Sequence, residues 1–475
     1  MNTRETYNFE RRKHWDGVAR EFPADRSWAS YYHRRMAEVH QHLIAPGLRV
    51  LEIGSGQGDL LAAVKPSYGV GVDLSGEMVR QAKERHPSLT FHQLDAHEMD
   101  LGEKFDVIIL SDLINDVWDV QQLLDVVARH ATPSTRIVVT FFSQLYQWPL
   151  RIARRLKLAR PNLQQNWLAP EDVNHLLTLA GLEPIRRLQD IVWLVRTPGI
   201  DAAMNRFVGR FSPFRWFSLS NVVVARLVTP AVQPENPPLV SVIVPARNES
   251  GNIAAIFDRT PEMGAGTELV FVEGHSTDDT YAAIEREIAA RPGRKAMLLK
   301  QPGKGKGDAV RAGYAASTGE VLMILDADLT VPPEDLPRFY DALVTNRGEF
   351  INGVRLVYPM EKEAMRFLNM IGNKFFGWAF SWVLNQPIRD TLCGTKVLYK
   401  RDYNRIAANR AYFGDFDPFG DFDLIFGAAK LNLKMIDLPI RYRERTYGTT
   451  NISRWKHGLM LLRMLWFAAW WIKFV

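Results

Sequence analysis

An uninterrupted apolar run, Val321-Leu-Met-Ile-Leu325, stops abruptly in two carboxylates, Asp326-Ala327-Asp328. The run is too short for a helix of its own and too apolar for a strand with one face in water. It therefore predicts a strand buried on both faces. Such a strand needs helices above and below it, which confines the fold to a layered α/β sheet, largely parallel. The acids mark the place where the strand leaves the sheet, the edge at which open α/β sheets bind ligands. Alternation puts Asp326 and Asp328 on the same side of the extended backbone. Two hard oxygen donors so placed can hold Mg²⁺ or Mn²⁺ against a diphosphate. The same pair could instead cap the helix that begins near Pro332.

The pattern of an apolar run ending in acids recurs along the chain, and 475 residues are too many for one ordinary core. Thr229 to Pro238 holds four prolines and reads as a short, stiff spacer. We expect one domain over 1–228, the spacer over 229–238, a second domain over 239–457 and an amphipathic, membrane-associating tail over 458–475. Hydrophobic content of 47% with 24% charged residues is an ordinary folded composition. A net charge of +6 and a pI near 9.2 suit anionic partners such as nucleotide diphosphates or acidic lipid headgroups. The cations are spread out and no nucleic-acid module is visible, so no nucleic-acid partner is expected. A single cysteine excludes an internal disulfide and a cysteine-based zinc site, which fits a reducing cytoplasm. The polar, charged start of the chain predicts no signal peptide.

In the first half, Arg49-Val-Leu-Glu52-Ile-Gly54-Ser55-Gly56-Gln-Gly58 reads as a strand, a glycine-rich turn and then a helix from Leu60 to Val64. Glycine there lets the backbone come close to a ligand. Gly69 to Asp73 is a second strand, and its terminal carboxylate is suited to ribose hydroxyls. The alternative is an N-terminal acid for the helix that follows from Ser75. Further strands are expected over 89–94, 105–110, 135–141 and 220–228, the first of these ending at Asp95-Ala96. This is the layout of a doubly wound sheet. The motifs Leu51-Glu52-Ile-Gly54-Ser55-Gly56-Gln-Gly58, Val72-Asp73-Leu74-Ser and Leu94-Asp95-Ala96 together resemble class I S-adenosylmethionine-dependent methyltransferases. The resemblance implies a Rossmann-like domain with S-adenosylmethionine as cofactor. It implies that Glu52, Gly54, Ser55, Gly56 and Gly58 hold the methionine moiety. Asp73 with Leu74 would hold the ribose, and Asp95 with Ala96 the adenine amine. Asp112 to Trp118 lies where that family presents its substrate, but no general base is recognisable, and Asp112 or Asp116 could be solvated loop acids.

In the second half, Leu239 to Val244 and Glu268 to Val272 are again buried strands, running into Pro245-Ala-Arg247-Asn248-Glu249 and Glu273-Gly-His-Ser-Thr-Asp278. The flexible Gln301-Pro-Gly-Lys304-Gly-Lys306-Gly-Asp308 precedes the Asp326 strand. In this order the pieces resemble family 2 glycosyltransferases, above all the polyprenyl-phosphate sugar synthases. The resemblance implies a nucleotide-diphospho-sugar transferase fold of the GT-A type, a divalent cation and inversion at the anomeric carbon. Pro245, Arg247, Glu249 and Glu273 would line the base and ribose site. Lys306 and Asp308 would lie beside the nucleotide, and Asp326, Ala327 and Asp328 would bind the diphosphate, with Asp326 and Asp328 on the metal. Glu273 is followed by Gly274 where the family has a second acid, so UDP and GDP both remain open. Asp390 to Lys396 matches an acceptor-side loop, within which Cys393 is assigned no chemistry. Gly420-Asp421-Phe-Asp423 matches the family's Asp-x-Glu site with Asp in place of Glu. Asp421 and Asp423 are the candidate bases, and helix N-terminal acids the alternative. Arg445, in the arginine-rich stretch 441–451, is the candidate for stabilising the leaving diphosphate.

Leu459 to Val475 would span about 25 Å as a helix, short of a hydrocarbon core of roughly 30 Å, and it contains Arg463 and Lys473. A helix lying in the interface fits better than a span, with docking on the second domain as the soluble alternative. Met360 to Leu384 could share that surface. Basic aromatic stretches over 148–160 and 205–217 are solvated faces, a lid or interfacial patches. The sequence thus predicts a bifunctional enzyme peripheral to the cytoplasmic face of the membrane, with a nucleotide-sugar donor and a lipid-linked acceptor. The alternative is a glycosyltransferase acting on a soluble saccharide or protein, with a regulatory S-adenosylmethionine-binding module.

Overall fold

The computed structural model describes residues 3–21, 29–155, 163–355, 357–358, 367–410, 420–445, 447 and 454–475. Residues 156–160, 360–366, 446 and 448–451 of the stretches discussed above lie outside the described residues. The chain divides within the proline-rich segment into two units, Met1–Thr229 with Lys473–Val475, and Pro230–Ile472.

The first unit is built on a seven-stranded sheet of β1 (Arg49–Ile53), β2 (Tyr68–Asp73), β3 (Thr90–Gln93), β4 (Val107–Ser111), β5 (Arg136–Phe142), β6 (Leu182–Asp190) and β7 (Ser220–Leu227). Its spatial order is 3-2-1-4-5-7-6. β1 to β5 are parallel, and β7 runs antiparallel to both β5 and β6. Val50, Leu51 and Ile53 are fully buried, Leu51 and Ile53 in one helical layer and Val50 in the other. The sheet is therefore covered on both faces, as the apolar runs require. Chain order turns back between β1 and β4, which opens a crevice at their carboxyl ends.

The second unit repeats the plan with β8 (Val240–Ala246), β9 (Thr267–Glu273), β10 (Ala296–Lys300), β11 (Val321–Ile324), β12 (Phe350–Val354), β13 (Lys396–Tyr399) and β14 (Met435–Pro439), in the order 10-9-8-11-13-12-14. β13 lies antiparallel between β11 and β12. Every residue of β11 is buried, as an apolar run flanked by two helical layers must be. The switch point falls between β8 and β11, so the chain after each strand emerges at one crevice. Among the described residues no helix is long and apolar enough to cross a membrane.

Candidate active sites

After β1 the chain turns through Gly54, Gly56 and Gly58 at φ of 75°, 52° and 79°, a region that penalises a side chain. A Cβ on Gly54 would stand 2.9 Å from Leu113, and one on Gly58 2.5 Å from Phe91. A Cβ on Gly56 would meet nothing within 4 Å, so this glycine faces open space. Beside it, Glu52 and Ser55 are buried, and Glu52 Oε2 and Ser55 Oγ have no partner. Burial, then the nearby acids Asp73 and Asp59, push the Glu52 carboxyl well up. A buried carboxylate oxygen without a partner, next to an open glycine cradle, fits the ammonium end of an S-adenosylmethionine.

Asp73 closes β2. Its two oxygens accept from Gly56 N and Ser75 N, both at 2.8 Å, so it already braces the glycine turn. Leu74 and Ala96 are half-buried nearby. Asp95 accepts from His97 Nδ1 at 2.7 Å, from Asn8 at 2.6 Å and from Arg4 at 2.8 Å. Burial works against its charge, but His97 and Arg4 outweigh it and hold the carboxyl well below the usual range. Arg4 and Asn8 belong to the helix Thr3–Glu21, which sequence reading left unconnected to the site. The same helix places Arg11 and Trp15 on Asp116, at 2.9 and 2.7 Å, and Asp16 on Ser75 Oγ at 2.5 Å.

Asp112, just past β4, adopts φ 57° and accepts from Tyr32 Oη at 2.7 and 2.9 Å. Burial pushes its carboxyl up to about 6, against the opposing bond from Tyr32. It is therefore no solvated loop acid.

In the second unit the predicted residues meet at the switch point. Lys306 Nζ lies 2.6 Å from Asp326 Oδ1, and Arg445 lies 2.6 Å from Asp328 and 3.3 Å from Glu249. The side chains of Asp326 and Asp328 stay 27% and 14% exposed, so both reach solvent. Burial opposes the charge on Asp326, but Lys306 prevails and lowers its pKa. Glu249 is pushed up to about 7 by burial, with Arg445 opposing and Asp328 adding. Glu273 is buried and accepts from Ser276 N, while Asp308 ties back Gly303 N at 2.8 Å. Pro245 is half-buried, Ala327 buried and Arg247 exposed, at or beyond the strand ends. Gly394 closes the other side: a Cβ there would fall 2.1 Å from Asp326 Oδ2 and 2.5 Å from Lys306 Nζ. Only glycine lets that loop lie on the ion pair. Among the described residues no three His, Cys, Asp or Glu side chains gather into a metal cage. The donor set fits a Mg²⁺ or Mn²⁺ that shares two carboxylates with a diphosphate.

Residues 44–181 match a family described as methyltransferase domain, and residues 241–407 match glycosyl transferase family 2. The chain joins a methyltransferase domain to a family 2 glycosyltransferase domain. An undecaprenyl-phosphate 4-deoxy-4-formamido-L-arabinose transferase of Edwardsiella ictaluri is 37% identical over 232 residues, which are 47% of this chain and 64% of the relative. A dolichyl-phosphate hexose transferase of Haloferax volcanii is 28% identical over 222 residues, 46% of this chain and 89% of the relative. Among solved structures, magnesium protoporphyrin IX methyltransferase from Synechocystis PCC 6803 with bound SAH aligns at 17% identity and a TM-score of 0.33, covering 47% of this chain and 97% of that one.

In the glycosyltransferase domain the two candidate bases are both engaged. Asp421 lies 3.1 Å from Lys396 Nζ, and Asp423 accepts from Arg410 at 2.8 Å. Lys396 is fully buried on β13 and also donates to the Cys393 carbonyl. Asp390 is clamped by Arg355 through two bonds of 2.7 and 2.8 Å. Cys393 is buried, and burial pushes its thiol up to about 12, which leaves it inert. Arg355 and Arg410 were not singled out from sequence, and Lys396 only as the last residue of the acceptor-side loop. A lone cation carries no motif, and only the buried acids opposite them reveal their place.

Proposed function

We propose that the second domain transfers a sugar from a UDP- or GDP-sugar to a polyprenyl phosphate with inversion, and that the first methylates a substrate of the same pathway. The observation that carries this is the meeting of Asp326, Asp328, Lys306 and Arg445 at the β8–β11 crevice, partly open to solvent. Both named relatives are polyprenyl-phosphate or dolichyl-phosphate sugar transferases, which supports the acceptor class. A divalent cation held by Asp326 and Asp328 would neutralise charge on the departing diphosphate. Arg445 and Lys306 add fixed positive charge at the same edge. A phosphate acceptor is already anionic and needs no base, so Asp421 on Lys396 and Asp423 on Arg410 act by positioning. Incubation of the full chain with radiolabelled UDP- or GDP-sugar and polyprenyl phosphate should carry label into the organic phase. Label that stays aqueous with every donor sinks the lipid-acceptor reading.

The glycosyltransferase domain also offers a surface for a membrane. Leu459, Leu462, Trp466 and Trp470 are exposed along the helix Arg454–Ala468 and the turn after it. Ile371, Phe375 and Trp378 are exposed on Phe367–Leu384, which packs against that helix. Arg463 and the tryptophans line an open groove of about 440 Å³. Aromatics at headgroup level with a cation among them suit peripheral attachment, on our reading to the cytoplasmic leaflet.

In the methyltransferase domain we read Asp112, oriented by Tyr32, as the group that takes a proton from a hydroxyl acceptor. A carboxylate accepts a proton only when ionised. Methyl transfer should therefore rise with pH through about 6, the value to which burial shifts Asp112. Asp112→Asn should flatten that limb and lower the rate by about a hundredfold or more. An unchanged pH profile in the variant would remove Asp112 from the chemistry.

A further inference from the structure

The methyltransferase domain exposes an apolar surface of its own. β5 and β7 are antiparallel, with Phe142 opposite Ser220, so the chain leaves one and enters the other at the same edge. Ser143 N donates to the Leu219 carbonyl at 2.7 Å, and Tyr146 Oη to the Phe217 carbonyl at 2.6 Å. These bonds hold the segment 144–155 beside 211–217. Leu145, Trp148, Ile152, Phe214, Trp216 and Phe217 are each between 49% and 64% exposed. Single exposed apolar residues are ordinary, but six large ones on two pinned segments are not.

Charge says what covers them. Arg151, Arg155 and Arg215 are exposed among the aromatics, with the Arg151 guanidinium 5.3 Å from the Trp148 ring. The chain has 53 acids in 475 residues, yet none lies anywhere from 126 to 170 or from 202 to 234. A protein-docking face would be expected to mix signs, and an acid-free aromatic face with arginines matches an anionic lipid surface. The surface also borders the chemistry. The Phe142 ring at its base lies 5.7 Å from the Tyr32 ring, and Asp112 N donates to the Thr140 carbonyl of β5.

We infer that residues 144–155 and 211–217 dock the methyltransferase domain on an anionic bilayer by themselves, and that its methyl acceptor is a membrane-borne amphiphile. The inference rests on the reading of this domain as an active methyltransferase and adds the class of its substrate.

The test uses the full chain with Phe214→Cys carrying an environment-sensitive NBD label, since the other thiol, Cys393, is fully buried. Vesicles of phosphatidylcholine with about a third phosphatidylglycerol should shift the label's emission to the blue. Pure phosphatidylcholine should not, and Arg151→Glu with Arg215→Glu should weaken the response at least tenfold. Flotation of the same samples separates the two surfaces. If the chain floats while the label at 214 stays aqueous, attachment runs through the glycosyltransferase domain alone and this inference is overturned. If Trp466→Glu with Trp470→Glu still floats and still shifts the label, the inference stands whatever the fate of the C-terminal surface. A blue shift that needs no vesicles and grows with protein concentration identifies self-association and also overturns it.

Discussion

Asp326→Asn combined with Asp328→Asn should lower sugar transfer by about a thousandfold or more, with the fold of the first domain untouched. Asparagine keeps the shape of each side chain and removes its charge. Two effects then act together. The hard oxygen pair that would share a cation with the diphosphate becomes a pair of weak neutral donors. Lys306, 2.6 Å from Asp326, loses that partner in a half-buried crevice, and Arg445 loses Asp328 at 2.6 Å while keeping Glu249 at 3.3 Å. An unpaired cation there costs stability as well as catalysis, so thermal unfolding of the second unit should be followed alongside turnover. Retained S-adenosylmethionine binding supplies the internal control. Chelation of divalent cations should reproduce the loss in the parent chain and add little in the variant. Wild-type turnover by the double variant in metal-replete buffer would refute the assignment.

Sequence displayed this edge because β8, β9 and β11 are largely apolar runs, β9 ending in Glu273 and β11 running into Asp326, a pattern set by burial on both faces. It hid β12 and β13 because their buried positions include Asn352 and Lys396. Those break the apolar pattern and are tolerated only through distant partners: Asn352 donates to the Asp390 carbonyl and to Asp437, and Lys396 meets Asp421. β6 was missed for a related reason. It is an edge strand with a bulge between Pro184 and Arg186, and its buried Arg186 and Asp190 read as loop residues. Asp190 is buried because Arg35 and Arg210 reach it from elsewhere in the first unit.

The site residues split along the same line. Glycines and acids at strand ends are local features, so the cofactor turn and the Asp326 pair were legible. The cover that the helix Thr3–Glu21 lays over Asp95, Asp116 and Ser75 was not. Its bonds to Asp95 join residues some ninety positions apart and leave no periodic trace in a helix with few and scattered apolar residues. Lys473, one of the two cations that the sequence shows in the C-terminal segment, is buried with the first unit, and burial lowers it to about 7.

Gly56→Arg should weaken S-adenosylmethionine binding by about a hundredfold or more, roughly 3 kcal/mol, measured by titration calorimetry. Of the three glycines in the turn this one separates binding from folding. A side chain at 58 would be driven into Phe91 at 2.5 Å and one at 54 into Leu113 at 2.9 Å, so those variants damage the core. Position 56 opens into free space, and its arginine would occupy the cradle beside the unpartnered Glu52 oxygen. The left-handed backbone at φ 52° costs about 1 kcal/mol for a non-glycine residue, a shift of a few degrees in unfolding temperature. The arginine would also offer Glu52 a cation, competing with the ligand's ammonium at the same oxygen. Sugar transfer should be unchanged, because no residue of the second site lies in the first unit. Unaltered calorimetry in a folded Gly56→Arg chain would mean that the glycine turn is not the cofactor cradle, and a parallel fall in sugar transfer would mean that the two activities are coupled.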